Sequence, residues 1–170
     1  MSIAMPKTYS WWEIVSAITT GVSTAMILSG CGNMSHQSSE QKWQTYSNSR
    51  YKFEFPYPSH WQSLKPPDNR DGITLVSPQN PTVEIRAWAT NNLFTAETES
   101  RNTQNINYNF QTNQGLPGVM MVEVGQQVST IKLTITQGKV KYYWQGQSNS
   151  KEFQNYYHMF YYIAKQYQVK

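Results

Sequence analysis

Phe153-Gln154-Asn155-Tyr156-Tyr157-His158-Met159-Phe160-Tyr161-Tyr162-Ile163-Ala164-Lys165-Gln166-Tyr167 decides how the rest of the chain must fold. Phe153, Tyr156, Tyr157, Phe160, Ile163, Ala164 and Tyr167 recur at three- and four-residue steps, so a helix gathers them into one apolar stripe. A stripe that wide has to be buried, and the segments upstream read as the sheet that buries it. Asn149 stands where it can cap this helix, with Glu152 three residues on, an Asn variant of the capping box.

Upstream, the period changes from 3.6 to 2. Residues 51–57 alternate aromatic and polar, and Pro56 and Pro58 are expected to end that strand because neither donates to a ladder. Residues 73–77 and 82–89 flank the turn Pro78-Gln79-Asn80-Pro81. In the second of these strands Val83, Ile85, Ala87 and Ala89 share one face, and Glu84, Arg86 and Trp88 the other. Residues 106–110, 119–124, 130–136 and 140–146 alternate in the same way, with Gln137-Gly138-Lys139 as a turn. Residues 92–102 are weakly helical, with Thr95 as a cap and Glu97 and Glu99 in the first turn. Strands, a middle helix, more strands and a terminal helix predict an α+β domain: an αβα sandwich with a mainly antiparallel sheet and a long C-terminal aromatic helix.

The other end of the chain carries a different signal. Residues 14–28 are apolar and uncharged, about the length of a secretory h-region and short for a membrane span. Leu28-Ser29-Gly30-Cys31 follows, and it resembles the lipobox of bacterial lipoproteins. That resemblance implies diacylglyceryl attachment to the Cys31 thiol, cleavage between Gly30 and Cys31, and acyl chains such as palmitate holding the new N terminus in a membrane. The region before the apolar run carries Lys7 but also Glu13, and Met5 is a second candidate start. Cys31 is the single cysteine, so thioether attachment would leave no thiol for a disulfide or redox chemistry. Residues 1–30 therefore read as a removed signal peptide. Residues 31–45, rich in Ser, Gln, Asn and Gly, read as a flexible polar tether of roughly 20 Å span. Residues 46–170 read as one domain.

Composition narrows the partners. Formal charge is +4, from 14 Lys and Arg against 10 Asp and Glu. The basic residues are scattered, with Lys132, Lys139 and Lys141 the nearest approach to a stripe, and this argues against nucleic-acid binding. Asn and Gln number 29, more than all the charged residues together. Such a polar, aromatic-rich surface suits an exported β-rich domain and also suits glycan binding.

At Tyr51-x-Phe53-x-Phe55-x-Tyr57-Pro58-x-x-Trp61 the chain resembles the opening of PsbP/DcrB-like domains. Asp71-Gly72-Ile73-Thr74-Leu75-Val76-Ser77-Pro78, the strand Val83-Glu84-Ile85-Arg86 and the closing aromatic helix extend the likeness over residues 46–170. One departure is Lys52, where the family often has Gly. The resemblance implies an αβα sandwich and a non-enzymatic role. PsbP itself is an extrinsic subunit on the lumenal side of photosystem II, cyanobacterial members are often lipoproteins, and DcrB-like members are envelope proteins.

Chemistry-bearing residues do not converge in the sequence. His36 lies in the tether, His60 in a turn, and His158 beside Tyr157 off the helix stripe. No zinc-ligand spacing, phosphate loop or nucleophile elbow is present. Asp68 and Asp71 are the one weak candidate for a hard cation, and an Asx-stabilised turn is the simpler account of both. Glu54, Glu84 and Glu123 fall on polar strand faces, so no acid is set in an apolar pocket for glycoside hydrolysis. Trp88, Tyr142 and Trp144 are candidates for a partner-binding platform, or are core if helices cover them. The expectation is a non-catalytic binding or scaffolding domain without a cofactor. It would be confined to the bacterial envelope by lipid on Cys31, facing the periplasm or, in a cyanobacterium, the thylakoid lumen. It would serve an envelope protein partner as an accessory or assembly factor. The alternative is a glycan-binding or glycan-processing module.

Overall fold

The computed structural model describes residues 41–91 and 105–170. The expected signal peptide, Cys31, the expected tether up to residue 40 and all of the helix expected over residues 92–102 lie outside the described residues.

Alternation becomes pairing in a seven-stranded sheet. Its members are β3 (Gln62–Ser63), β4 (Gly72–Val76), β5 (Glu84–Asn91), β6 (Asn105–Gln111), β7 (Pro117–Val124), β8 (Val128–Gln137) and β9 (Val140–Asn149). Their spatial order is β3-β4-β5-β9-β8-β7-β6, and every neighbouring pair is antiparallel. β8 and β9 form the longest hairpin, closed by a two-residue turn in which Gly138 takes φ +59°. That backbone strains a residue with a Cβ, and glycine adopts it freely.

Register fixes which face is buried. Ala87 lies opposite Trp144, and Trp144 opposite Leu133. Leu133 in turn faces Met120. All four are buried. Ile85, Gly146 and Ile131 form a second row of the same kind, and Ala89, Tyr142 and Ile135 a third. The helix α1 (Phe153–Lys165) covers this face with Phe153, Phe160, Ile163 and Ala164. Gly146 admits the Phe160 ring: a Cβ there would lie 2.5 Å from the ring's Cδ1.

A second, three-stranded sheet completes the same core: β1 (Trp43–Ser47), β2 (Phe53–Pro58) and β10 (Gln168–Val169), in the order β1-β2-β10. Phe53 and Phe55, both fully buried, stack against Tyr167 at 5.5 and 6.1 Å between ring centroids. Phe53 also meets Tyr142 edge-on at 6.2 Å. The α+β expectation holds, with a mainly antiparallel sheet and a C-terminal aromatic helix on one face.

Four local expectations are corrected. First, ordered pairing begins at Trp43, inside the segment read as tether, because Trp43 lies opposite Pro58 and Tyr46 opposite Phe55. Second, β2 continues through Pro56. β10 reaches only Phe53 and Glu54, so past Glu54 that edge of β2 has no β10 ladder for a proline to break. Third, α1 ends at Lys165, and Tyr167 stands beyond it, 1% exposed, where the chain turns into β10. Fourth, Asn149 does not cap α1. It ends β9, and its Oδ1 accepts from the Lys151 amide. Glu152 occupies the N-cap position without a side-chain cap bond, and its Oε2 instead accepts from Asn80 Nδ2 at 2.7 Å. Lys165 in the last turn complements the helix dipole.

Lys52, where the resemblance noted in the sequence would place a glycine, has φ +58°, the left-handed backbone that a glycine takes without strain. The tight turn from Asn48 to Phe53 requires it: the Lys52 amide donates to Asn48 O and the Asn48 amide to Phe53 O.

Three buried side-chain polar atoms, Glu84 Oε1, Trp144 Nε1 and Tyr167 Oη, have no hydrogen-bond partner among the described residues. Burial pushes the Tyr167 phenol well above its ordinary value of 10.0, and Tyr142 and Tyr46 add to the shift. The folded chain therefore holds this proton more tightly than the unfolded chain does. The resulting stability is complete below pH 10.0 and drains away as pH rises above it. Tyr167→Phe should relieve the unpaired hydroxyl and stabilise the domain by about 1 kcal/mol. It should also lessen the alkaline loss. Urea unfolding of both proteins at pH 7 and pH 11 tests this, and equal losses on raising the pH would contradict it.

Candidate functional site

The face of the large sheet away from α1 carries the polar set of each strand. Trp88 stands there, 37% exposed. Its cross-strand partners are Gly72 on β4 and Tyr143 on β9. It stacks on Tyr143 with centroids 5.0 Å apart and planes 14° from parallel. Lys141 Nζ lies 5.5 Å from the centre of the Tyr143 ring. Gly72 has no room for a side chain: a Cβ would lie 2.2 Å from Ala87 O. Trp88 thus closes over a bare stretch of β4.

Beside this pair lies a shallow cleft of about 600 Å³, lined by Asn69, Asp71, Gly72, Trp88, Thr90 and Tyr143 among others. Its polar wall is braced from β1 and the turn that follows. Arg50 Nη1 donates to Asp71 Oδ1 at 2.6 Å and to Asn69 O at 2.7 Å. Asn69 Nδ2 donates to Asp71 Oδ2. Asn48, 4% exposed, joins the turn to the loop. Its Nδ2 donates to Arg70 O and to Tyr46 Oη, and its Oδ1 accepts from the Arg50 and Tyr51 amides.

Of the two readings open for Trp88, Tyr142 and Trp144, platform or core, this geometry makes two of the three core and corrects the platform reading for them. Trp144 is 1% exposed beneath Phe160 at 6.3 Å, and Tyr142 is 6% exposed with its hydroxyl donating to Tyr51 O. Both belong to the core. Only Trp88 lies at the surface, and its aromatic neighbour is Tyr143, whose parity along β9 is opposite to theirs. Sequence reading missed Tyr143, Asn48 and Arg50. The signal for Tyr143 was its alternation with two core aromatics, which names a face but not the strand across from it.

Asp71 is committed to Arg50 and Asn69, a guanidinium already neutralising it, while Asp68 is exposed. Among the described residues no group of three or more His, Cys, Asp or Glu gathers to hold a metal. The strand glutamates are all ion-paired: Glu54 with Lys170 at 2.6 Å, Glu84 with Arg86 at 2.6 Å, and Glu123 with Lys132 at 2.7 Å. The Glu84–Arg86 contact lacks hydrogen-bond geometry, so Glu84 Oε1 is paired in charge only. His158 is exposed and meets Tyr157 edge-on. His60 is exposed at the rim of a second cleft of about 570 Å³, which Lys42, Trp61, Tyr156 and Met159 also line.

No family model matches the sequence, and no curated protein matches it. Solved structures do match in fold. The solution structure of cyanobacterial PsbP (CyanoP) from Synechocystis sp. PCC 6803 aligns with a TM-score of 0.58 at 12% identity, over 84% of this chain and 99% of that one. A crystal structure from Bacteroides thetaiotaomicron gives a TM-score of 0.51 at 11% identity, over 76% of this chain and 49% of that one. The fold is PsbP-like.

Proposed function

We propose that this chain is a bacterial envelope lipoprotein, anchored through Cys31, whose PsbP-like domain binds or scaffolds a membrane-associated protein complex without catalysing a reaction. The observation that carries the reading is the coupling of two features in one chain: the lipobox at Leu28-Ser29-Gly30-Cys31 and a fold shared with cyanobacterial PsbP. The described surface supports a binding role better than a catalytic one, because four of its six described side-chain carboxylates (Glu54, Asp71, Glu84 and Glu123) are spent on ion pairs rather than on a converging site. The compartment would be the periplasm, or the thylakoid lumen in a cyanobacterium.

A second reading follows from Trp88. An exposed indole beside a polar cleft with Asn69 and Asp71 is chemistry that suits a sugar ring, so the domain would bind envelope glycan.

Cys31→Ser is expected to abolish lipid modification, leaving an uncleaved precursor or releasing the domain from the membrane fraction. A mutant of mature size that still sediments with membranes would sink the lipoprotein reading. Affinity capture of the wild type from detergent-solubilised membranes separates the two binding modes. A stoichiometric protein partner supports the first, and peptidoglycan fragments without such a partner favour the second.

A further inference from the structure

We propose that one face of this domain rests on the lipid bilayer itself, with Trp43 and Tyr162 seated among the headgroups. The proposal rests on the lipoprotein reading above and adds an orientation to it.

Trp43 and Tyr162 are 38% and 45% exposed, and their rings touch across the gap between β1 and α1, centroids 5.1 Å apart. Lys42 and His60, both exposed, and the half-buried Tyr156 and Met159 line the adjoining cleft. The Ser59 amide donates to Lys42 O, which ties the turn carrying His60 to the start of β1. The six side chains join an amphipathic aromatic surface to a lysine, and none is acidic. Trp and Tyr rings of this kind partition to the boundary between headgroups and acyl chains, and a lysine adds attraction for anionic lipid.

The path of the chain selects a bilayer as the occupant. Gln41, at the start of the described residues, itself lines this cleft. Nine residues lie between it and Cys31, and the ten Cα-to-Cα steps involved span at most about 35 Å. The lipid on Cys31 therefore holds this end of the domain within reach of the membrane, while the Trp88 cleft lies on the opposite face of the large sheet from α1. The anchored domain would dock through Trp43 and Tyr162 and leave Trp88 open to the aqueous side.

The test uses the mature protein reconstituted into phosphatidylethanolamine–phosphatidylglycerol liposomes whose acyl chains are brominated near the headgroup, where bromine quenches a nearby indole. Wild-type emission should fall relative to unbrominated liposomes. Trp43→Phe should lose at least half of that fall, although Trp61, Trp88 and Trp144 remain. Tyr162→Ser keeps the Trp43 fluorophore and should also reduce the quench, which guards against misfolding of the first variant. Mass spectrometry of the N-terminal peptide is read in parallel. Lipidated Cys31 with equal quenching in wild type and both variants would overturn the docking face alone. An unmodified Cys31 would overturn the lipoprotein reading and the orientation with it.

Discussion

Phe160→Ala is expected to destabilise the domain by about 3–5 kcal/mol, the range for deleting a fully buried aromatic side chain. The ring is 0% exposed. It joins Trp144 at 6.3 Å, Phe153 at 6.4 Å and Tyr156 at 6.2 Å, so its loss empties the centre of the contact between α1 and β9. A domain of ordinary stability, about 5–15 kcal/mol, would lose a large share of it. Chemical denaturation should show the midpoint falling with little change in slope. A loss under about 1 kcal/mol would mean that α1 does not pack on β9 through this ring.

Gly146→Ala probes the same contact from the strand side. The added methyl would sit 2.5 and 2.6 Å from two ring atoms of Phe160, closer than real Cβ contacts come. Gly146 cannot retreat, because β9 is held by β5 on one side and β8 on the other. Either the helix lifts or the ring leaves its rotamer, at a cost of about 1–3 kcal/mol. The two substitutions should be strongly non-additive, since removing the ring makes room for the methyl. Gly146→Ala introduced into Phe160→Ala should cost close to nothing, a coupling of at least about 1 kcal/mol in a double-mutant cycle. Simple additivity would show that the ring does not lie over the glycine.

This pair marks what can and cannot be read from the residues alone. The helix stripe and the alternation of β5 and β8 name their buried faces correctly, because each pattern compares neighbours within one element. Phe160 over Gly146 joins two elements, and no periodicity carries that information. The same limit explains the aromatic platform. Tyr142, Tyr143 and Trp144 alternate, but which parity is covered depends on the face that α1 chooses. β1 and β10 escaped notice because Trp43-Gln44-Thr45-Tyr46-Ser47 and Gln168-Val169 become strands only by pairing with β2. Asn48 looked like an ordinary polar residue, and its role is to hydrogen-bond a loop 22 positions away. The lipobox-like run at residues 28–31 is different again: its proposed meaning rests on a linear motif alone, and it lies outside the described residues.

The small sheet has a consequence for the timing of folding. β2 is the second strand in sequence order among the described residues, and one of its two partners, β10, is the tenth. Phe53 must wait for Val169, its cross-strand partner, and for the Tyr167 ring on which it stacks. Loop closure over such a separation is slow, and only local hairpins such as β8–β9 can form ahead of it. The part of the core around Phe53 and Phe55 therefore closes only once β10 has joined β2. Until that pairing forms, the faces of Phe53 and Phe55 that the Tyr167 ring covers stay open to solvent.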